Sequence, residues 1–282
     1  MDAKNLRLIS ERSRKRLVEI VYKAGAGHIG GDLSCLNVLT ALYFDVMNVN
    51  PDNPRDDARD RFVLSKGHCV EALYATLEAR GILSRKIVDT LGQFGSILAG
   101  HPMVEVPGIE VNSGALGHGL SIGVGMALAA KMDGKTFKTY VLMGDGEQAE
   151  GSIYEAAMAA NQYKLGNLVA IIDRNHLQIS GNTEDVMAID DIHERWGAFG
   201  WEVTDMDGDD AEEAARVLKS IDFSGSRPHL VISNTTKGKG ISYMENNAKW
   251  HHGMPDAGQY AQAIAEIEAR IEELESVKVE VI

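Results

Sequence analysis

The sequence predicts an α/β fold in which a mainly parallel sheet carries helices on both faces. From residue 139 onward, short apolar segments with strand character alternate with segments of helical periodicity, a pattern typical of consecutive β-α-β units. The chain has 282 residues, of which 44% are apolar and 24% charged, as in ordinary globular proteins. This length suits one large domain over residues 1–282, which we expect, although it would also allow two smaller ones.

The N-terminal half is predicted to be mainly helical and interrupted by glycine-rich turns. Apolar residues at near-helical spacing predict a first helix of twenty-odd residues, with the basic run at residues 11–16 on a solvated face. Four glycines between residues 25 and 31 break this pattern. The elements expected next are a helix at 33–47, a strand at 61–64, a helix at 69–80 and, after glycine-rich residues 108–125, a helix ending near residue 132.

The C-terminal half supplies most of the predicted sheet. Strands are expected at residues 139–143, 168–173, 202–205 and 229–234, with helices at 154–162 and 210–221. A C-terminal helix at about residues 259–276 carries an apolar stripe. That stripe could dock on another chain or pack on its own domain, and we favour packing on its own domain.

Composition and charge narrow the class of protein. A formal charge of −13 argues against a nucleic-acid partner, because phosphate binding needs a basic surface. No apolar run resembles a signal peptide, and none reaches the eighteen residues of a membrane span, so no membrane association is expected. Cys35 and Cys69 are too few for a disulfide framework and form no Cys-x-x-Cys motif. We therefore expect a cytoplasmic location.

Asp145 and Asn175 form the most specific pattern in the chain. Asp145 stands in Gly144-Asp145-Gly146 after one predicted strand, and Asn175 follows the next strand, thirty residues later. Parallel sheets gather ligand sites outside the carboxyl ends of their strands, so the two side chains are expected at one edge. Their carboxylate and amide oxygens suit Mg²⁺, which also takes water and phosphate oxygens. An Asp between glycines is also common in simple turns, and the spacing to Asn175 favours the metal interpretation.

Several histidines stand beside glycines, where a side chain has little cover: His28, His68, His101 and His252. A pKa near neutrality suits histidine for proton transfer to the hydroxyls and carbonyls of sugars. One such histidine alone would more often be a surface residue. The four lie dozens of residues apart, without His or Cys partners at zinc spacing, which disfavours a zinc site. The chain also lacks a complete Rossmann or Walker glycine pattern.

Eight segments, taken in order, resemble the N-terminal, diphosphate-binding half of the transketolase family. They lie at residues 26–31, 60–68, 100–102, 113–117, 144–151, 164–168, 236–240 and 252–255. The Gly-Asp-Gly followed by Asn is also similar to the diphosphate-and-metal motif of thiamine diphosphate enzymes. The resemblance extends over about residues 10–255. Arg174, where Asn is common, and Ser180, where Asp is frequent, depart from the family pattern and leave substrate preference open.

The resemblance implies thiamine diphosphate and Mg²⁺, or another divalent cation such as Ca²⁺ or Mn²⁺, as cofactors. It implies that Asp145, Asn175 and the backbone carbonyl of Leu177 hold the metal. The implied catalytic residues, which line the substrate channel, are His28, His68, His101 and His252. The residues implied to bind the cofactor are His68, Gly114, Leu116, Gly144, Asp145, Gly146, Glu150, Asn175, Ile179 and His252.

Within the implied cofactor site, different residues are expected to meet different parts of the molecule. Gly114 and Leu116 would contact the aminopyrimidine ring, and Ile179 the thiazolium ring. His68 and Gly146 would contact the diphosphate. In the family, a glutamate in a second, pyrimidine-binding domain activates the cofactor. Glu150 would reach toward that glutamate.

The resemblance also implies a partner, because the chain ends at Ile282, before any pyrimidine-binding domain. We expect the N-terminal subunit of a split transketolase, with a C-terminal subunit that carries this domain, in an α2β2 heterotetramer. The expected reaction transfers a two-carbon ketol unit from a ketose, phosphorylated or otherwise substituted, to an aldehyde. Two alternatives remain open. They are another thiamine diphosphate component, such as a deoxyxylulose-phosphate-synthase-like or ketoacid-dehydrogenase-like subunit, and a non-catalytic assembly subunit.

Overall fold

A parallel sheet forms the centre of the computed structural model, which describes residues 3–276, with side chains from residue 6 onward. Its five strands, within this range, are β1 (Arg61–Leu64), β2 (Thr139–Gly144), β3 (Leu168–Arg174), β4 (Glu202–Asp207) and β5 (His229–Asn234). Their order across the sheet is β1-β2-β3-β5-β4, and every neighbouring pair is parallel. The mainly parallel sheet predicted from the sequence is confirmed.

Helices pack around the sheet and supply the connections between its strands. The α-helices in the described part of the chain are α1 (Ala3–Ala24), α2 (Ile29–Ala41), α3 (Val70–Ala79), α4 (Arg85–Val88), α5 (Gly119–Met132), α6 (Gly151–Gln162), α7 (Thr183–Val186), α8 (Ile192–Ala198), α9 (Ala211–Lys219) and α10 (Ala257–Ser276). The sequence does not predict the short helices α4, α7 and α8. Segments of four to seven residues are too short to show a helical period in sequence.

The two faces of the sheet belong to separate apolar cores. Leu142 and Ile171, which are paired across β2 and β3, lie in the core built with α1, α2, α3 and α9. Val141 and Ile172, one position away on the same strands, lie in the core built with α5, α6 and α8. Successive side chains of a strand point to opposite faces, so both faces are buried. The prediction of helices on both faces is confirmed.

The second helix begins earlier than the sequence predicts. α2 starts at Ile29 and includes Gly30 and Gly31 in its first turn, whereas the glycine run predicts a start near residue 33. A Cβ on Gly31 would lie 2.7 Å from Cys69 Sγ. These glycines therefore permit close packing of α2 on the loop after β1 rather than breaking the helix.

The basic run on α1 is only partly a solvated face, because Arg12 is exposed as predicted but Arg14 and Arg16 are buried, contrary to the prediction. Arg14 is 2% exposed and donates hydrogen bonds to Lys239 O at 2.9 Å and Asn37 Oδ1 at 3.0 Å. Arg16 is 8% exposed and pairs with Glu78. The guanidinium groups are buried because each finds acceptors on other elements, which the local sequence does not reveal.

The C-terminal helix packs on its own chain. Ala263 and Ile267 of α10 are fully buried in the core that contains α1. Tyr260 stacks on Tyr22 of α1, with ring centroids 4.1 Å apart. The apolar stripe of this helix is thus covered by α1 within the single chain.

None of the helices within residues 3–276 combines the length and apolar character that crossing a membrane requires.

Candidate functional site

The carboxyl ends of four strands meet at one cavity of about 370 Å³. Lys66 and His68 follow β1, Asp145 follows β2, Asn175 follows β3, and Lys237 follows β5. All of these residues line the cavity. Because the strands are parallel, residues far apart in sequence reach one edge of the sheet, where such folds bind ligands.

Most of the residues predicted for the site line this cavity. They are His28, His68, Gly114, Leu116, Gly144, Asp145, Gly146, Asn175, Leu177 and Ile179. Three do not. The rings of His101 and His252 lie beside that of His28, with centroids 6.3 Å and 4.7 Å away. Glu150 is exposed at the N-terminus of α6, outside the lining residues.

Asp145 is a buried carboxylate at the cavity wall, 2% exposed. Its Oδ1 accepts a hydrogen bond from Gly146 N at 2.7 Å, and its Oδ2 accepts one from His176 N at 2.7 Å. Burial, together with the nearby Asp173 carboxylate, raises the pKa of Asp145 above its usual value. A bound cation would offset both effects, because it favours the charged carboxylate.

Asn175 and Leu177 add two uncharged oxygens next to Asp145. The Asn175 amide donates through Nδ2 to Asp173 Oδ2 at 3.0 Å, and its Oδ1 accepts from Leu177 N at 3.1 Å. This network fixes which end of the amide is oxygen. His176, between the two, has a φ of 64°, in the left-handed region that non-glycine residues disfavour. The turn is held in this conformation because the His176 backbone N–H donates a hydrogen bond to Asp145.

These groups fit a divalent cation. They offer one carboxylate, one amide and one backbone carbonyl oxygen around the cavity, a set that suits a hard ion such as Mg²⁺ or Ca²⁺. Among the described residues there is no group of three or more His, Cys, Asp or Glu side chains that could hold a metal. A metal at this position would therefore depend on neutral oxygens and on oxygens of a bound ligand, such as phosphate.

Lys237 is a buried cation facing the same cavity, 2% exposed. Its Nζ donates to Leu177 O at 3.1 Å and to His251 Nδ1 at 2.9 Å, both uncharged acceptors. Burial, with a contribution from Lys66, lowers the pKa of Lys237. An anionic group in the cavity would stabilise this ammonium, so the site suits a phosphate beside the metal oxygens.

Asp173 organises the floor of the site from the end of β3. It is fully buried and pairs with Lys66, which is 1% exposed. It also accepts hydrogen bonds from Ser34 and Thr235. Burial opposes the charge on Lys66, but Asp173 raises the pKa of Lys66 well above its usual value. The pair is a rigid internal support, because both charges are satisfied within the protein.

His28 stands at the centre of five clustered histidine rings. The centroids of His68 and His251 lie 5.2 Å and 5.7 Å from its own, in addition to the rings of His101 and His252 described above. Burial, and then the neighbouring His68, lowers the pKa of His28 to about 4. Its imidazole is thus neutral near pH 7 and can accept or donate a proton at a substrate hydroxyl.

Gly114 allows His101 to approach the cavity. Its φ of 142° lies in a region that favours glycine, and a Cβ at this position would lie 2.6 Å from the His101 ring. A side chain here would displace His101. Burial lowers the pKa of the His101 imidazole.

Several residues that line the cavity are not predicted from the sequence, including Lys66, Lys237, His251 and Glu147. Glu147 accepts hydrogen bonds from Gly117 N at 2.8 Å and Gly144 N at 3.0 Å, and so holds the two glycine-rich turns together. The two lysines follow predicted strands, so the rule that identified Asp145 could have found them. His251 adjoins the predicted His252, and only the fold distinguishes their positions.

Arg174 and Ser180, the two departures from the family pattern, also lie at the site. Arg174 Nη1 is 3.3 Å from Asp145 Oδ2, and its Nη2 is 2.5 Å from Glu184 Oε1 on α7. Ser180 lines the cavity. The guanidinium thus places a positive charge beside the carboxylate that would bind a metal.

Comparison with known families agrees with this geometry. Residues 7–270 match the family described as transketolase, thiamine diphosphate binding domain. One of the subunits of apulose-4-phosphate transketolase from Phocaeicola vulgatus is 70% identical over 98% of this chain and 98% of its own length. The 6-deoxy-6-sulfo-D-fructose transketolase subunit SqwG of Clostridium sp. is 40% identical over 90% of this chain and 93% of its own.

Longer relatives contain this chain as one part. Human transketolase is 35% identical over 93% of this chain, which spans only 42% of the human protein. The crystal structure of transketolase from Campylobacter jejuni superposes with a TM-score of 0.84 and 29% identity. It matches 98% of this chain and 48% of its own. The chain therefore spans less than half the length of these transketolases.

Proposed function

The chain belongs to the transketolase family, and from this we propose that it is the N-terminal, cofactor-binding subunit of a two-subunit transketolase. Relatives that are themselves named as single subunits of a transketolase match it over nearly their whole length. The observation that carries the proposal is the convergence of Asp145, Asn175, Leu177 and Lys237 at one cavity beside clustered histidines. That cavity offers cation-binding oxygens and an ammonium group to a diphosphate, next to groups suited to proton transfer.

We assign the cofactor-binding roles from the chemistry of the lining residues. Asp145, Asn175 and the Leu177 carbonyl would hold a divalent cation, and Lys237 and His68 would meet the diphosphate. Gly114 and Leu116 would face the pyrimidine ring, and Ile179, which is 74% exposed, offers an apolar surface to the thiazolium ring. Thiamine diphosphate, when bound, supplies the nucleophilic carbon for cleavage between carbons two and three of a ketose.

The histidines would carry the proton transfers of the reaction. His28 is neutral near pH 7, and its ring makes edge-on contacts with the rings of His68 and His252. These rings, with His101, would hold the hydroxyls of the sugar and move protons at its carbonyl and hydroxyl oxygens. Positioned acid-base groups of this kind typically contribute about 10²- to 10⁴-fold each to the rate.

For the substrate, we propose apulose 4-phosphate as the ketose donor. The relative named for this substrate is 70% identical over almost the whole chain, whereas the relative named for a sulfonated fructose is 40% identical. Groups that grip the far phosphate of the sugar are expected mainly on the partner. The donor assignment therefore concerns the complex of the two subunits.

The proposed assembly contains a C-terminal subunit with a pyrimidine-binding domain, in an α2β2 heterotetramer. The relatives are named as one subunit of their enzyme, which supports the existence of a partner. Glu150 is exposed and available to such a partner. A cytoplasmic location is proposed because both cysteines are free and buried, as in proteins of reducing compartments.

The test combines unfolding with turnover. The chain and its candidate partner are purified separately and mixed, with and without thiamine diphosphate and Mg²⁺. A ligand present at about 100 times its Kd stabilises the folded form by about 2.7 kcal/mol. We expect this stabilisation only for the mixture, together with loss of apulose 4-phosphate when an aldehyde acceptor is present.

The alternatives predict different results. Cofactor-dependent release of carbon dioxide from pyruvate, without use of the ketose, would indicate a decarboxylating enzyme. Absence of cofactor stabilisation with every partner tried would indicate a non-catalytic assembly role. Stabilisation without ketose consumption would retain the cofactor site and reject apulose 4-phosphate.

A further inference from the structure

Two acidic side chains, Asp32 and Glu71, meet beneath the histidine cluster. Asp32 is fully buried in the first turn of α2, and Glu71 is 3% exposed in the first turn of α3. Asp32 Oδ1 accepts a hydrogen bond from Ala72 N at 2.8 Å. Each of the two carboxyl groups acts on the pKa of the other. They thus join the starts of two helices that each follow a site histidine, His28 and His68.

The two carboxyl groups need a proton between them. Asp32 Oδ2 and Glu71 Oε2 are buried, and neither has a donor to accept from. Two carboxylates would only accept, but one shared proton gives both groups a partner. Lys66, a cation that acts on Asp32, is already paired with Asp173. A buried carboxylate without a hydrogen-bond donor is destabilising, so protonation of the pair costs less free energy than leaving both groups charged.

The electrostatic surroundings favour the protonated pair. Burial raises the pKa of Glu71 to about 8, with a further contribution from Cys69. Burial also raises the pKa of Asp32, and Glu71 adds to this effect. The other titratable groups that interact with the pair are Lys66 on the loop after β1 and Tyr74 on α3. The pair should therefore hold at least one proton at neutral pH.

The pair also touches the loop that carries His28. A Cβ on Gly27 would lie 3.4 Å from Glu71 Oε1. Gly27 O accepts a hydrogen bond from Gly253 N at 2.9 Å, so the same loop contacts the segment of His252. We propose that Asp32 and Glu71 share a proton and act as positioning residues, which tie α2 to α3 and so set the spacing of His28 and His68. Neither carboxyl group needs to touch the substrate.

Loss of the shared proton should loosen this contact. Two negative charges would then face each other in a buried environment, and their repulsion would push apart the N-termini of α2 and α3. The His28 and His68 rings, now 5.2 Å apart, would lose their fixed spacing. Binding and turnover of substrate should therefore weaken at alkaline pH through a group that the substrate does not reach.

The first experiment measures unfolding of the purified chain and does not depend on enzyme activity. Folded Glu71 keeps its proton up to about pH 8, against an ordinary value of 4.5, so the folded state binds more protons between these values. Stability from this group is therefore lost as pH rises through that window. We expect wild type to lose stability from pH 5 to pH 8 relative to Glu71→Gln. The unfolding temperature of Glu71→Gln minus that of wild type should therefore increase over this range. Asp32→Asn should show the same trend.

The control is Glu272→Gln, an exposed acid on α10, for which the difference should stay constant with pH. A constant difference for both Glu71→Gln and Asp32→Asn would overturn the shared proton. The second variant keeps the test decisive if the first does not fold.

The second experiment tests positioning and rests on the proposed function. In the complex of the two subunits, wild-type kcat/KM should fall above pH 8, by up to about tenfold per pH unit. For Glu71→Gln this alkaline limb should move to higher pH, whereas Glu272→Gln should keep it. An unchanged alkaline limb with the expected unfolding result would leave a structural pair and overturn the positioning role. If the complex shows no ketose turnover at all, the proposed function fails while the unfolding test still stands.

Discussion

At the scale of single residues, the site depends on charges held in places that water barely reaches. Asp145 and Lys237 are each 2% exposed, and burial shifts both pKa values toward the neutral form. Bound cation and anion would reverse both shifts, because each supplies the missing opposite charge. Asp173 and Lys66, in contrast, satisfy each other. Asp145 and Lys237 are therefore suited to binding charged ligands, whereas Asp173 and Lys66 support the structure of the site.

Asp145→Asn should abolish cofactor-dependent stabilisation of the complex. The substitution keeps the shape of the side chain but removes the negative charge of the proposed metal-binding set. The unfolding temperature with Mg²⁺ and thiamine diphosphate should equal that without them, which scanning calorimetry measures. Asp52→Asn, in an exposed loop, is the matched control and should retain the full shift. A full shift for Asp145→Asn would remove this residue from the metal site.

Lys237→Met should weaken cofactor binding without abolishing folding. A hydrogen bond to a charged group contributes about 1.5–3 kcal/mol, so its loss should raise the Kd of the complex for thiamine diphosphate about ten- to hundredfold. Titration calorimetry at fixed Mg²⁺ measures this constant. Lys135→Met, at an exposed position, should leave it unchanged. Equal Kd values for the two variants would show that Lys237 does not meet the diphosphate.

At the scale of elements, strand ends supply the chemistry and helices fix its position. The turns after β1, β2, β3 and β5 carry the charged and amide groups of the cavity. The N-termini of α2 and α3 carry the histidines that precede them. The long helix α10 lies away from the cavity lining and packs on α1. Its contribution should therefore be to the stability of this chain.

Ile267→Ala should destabilise the isolated chain by about 2–5 kcal/mol, the usual cost of removing a fully buried Ile side chain. The reason is the cavity left between α10 and the core that contains α1. Urea unfolding of the chain without its partner measures this change. Glu272→Ala, exposed on the same helix, should change stability little. If Ile267→Ala affected only the complex, α10 would be a docking helix rather than part of this core.

At the scale of the whole molecule, part of the proposed site is open in the single chain. Ile179 is 74% exposed at the cavity, and His101, Glu150 and His252 are also exposed. An exposed apolar side chain such as Ile179 at the mouth of a cavity is suited to contact with a ligand ring or a partner surface. This exposure agrees with the proposed partner subunit, which would cover the open side of the site.

The histidine cluster should make global stability sensitive to mild acid. Burial lowers the pKa of His28 to about 4 and, with Lys237, that of His251 to about 3. The unfolded chain binds protons at these residues from about pH 6.5 downward, so it binds more protons than the folded chain. The free energy of unfolding should therefore fall as pH decreases from 6.5 to 4.

His28→Asn should reduce this acid sensitivity. Denaturant unfolding at several pH values between 4 and 7 gives the slope for each variant. His118→Asn, at an exposed position before α5, is the control and should keep the wild-type slope. Identical slopes for all three proteins would contradict the low pKa of His28.

Sequence alone determined the parallel α/β fold, because apolar period and strand length depend on local residue order. It also placed Asp145 and Asn175 at one edge, since the ends of parallel strands must coincide. The tertiary structure decided what local order cannot encode. It buried Arg14 and Arg16, started α2 at Ile29, placed His251 rather than His252 on the cavity wall, and brought Lys66 to Asp173. Each of these outcomes depends on atoms contributed by residues distant in sequence, and only the folded packing brings those atoms together.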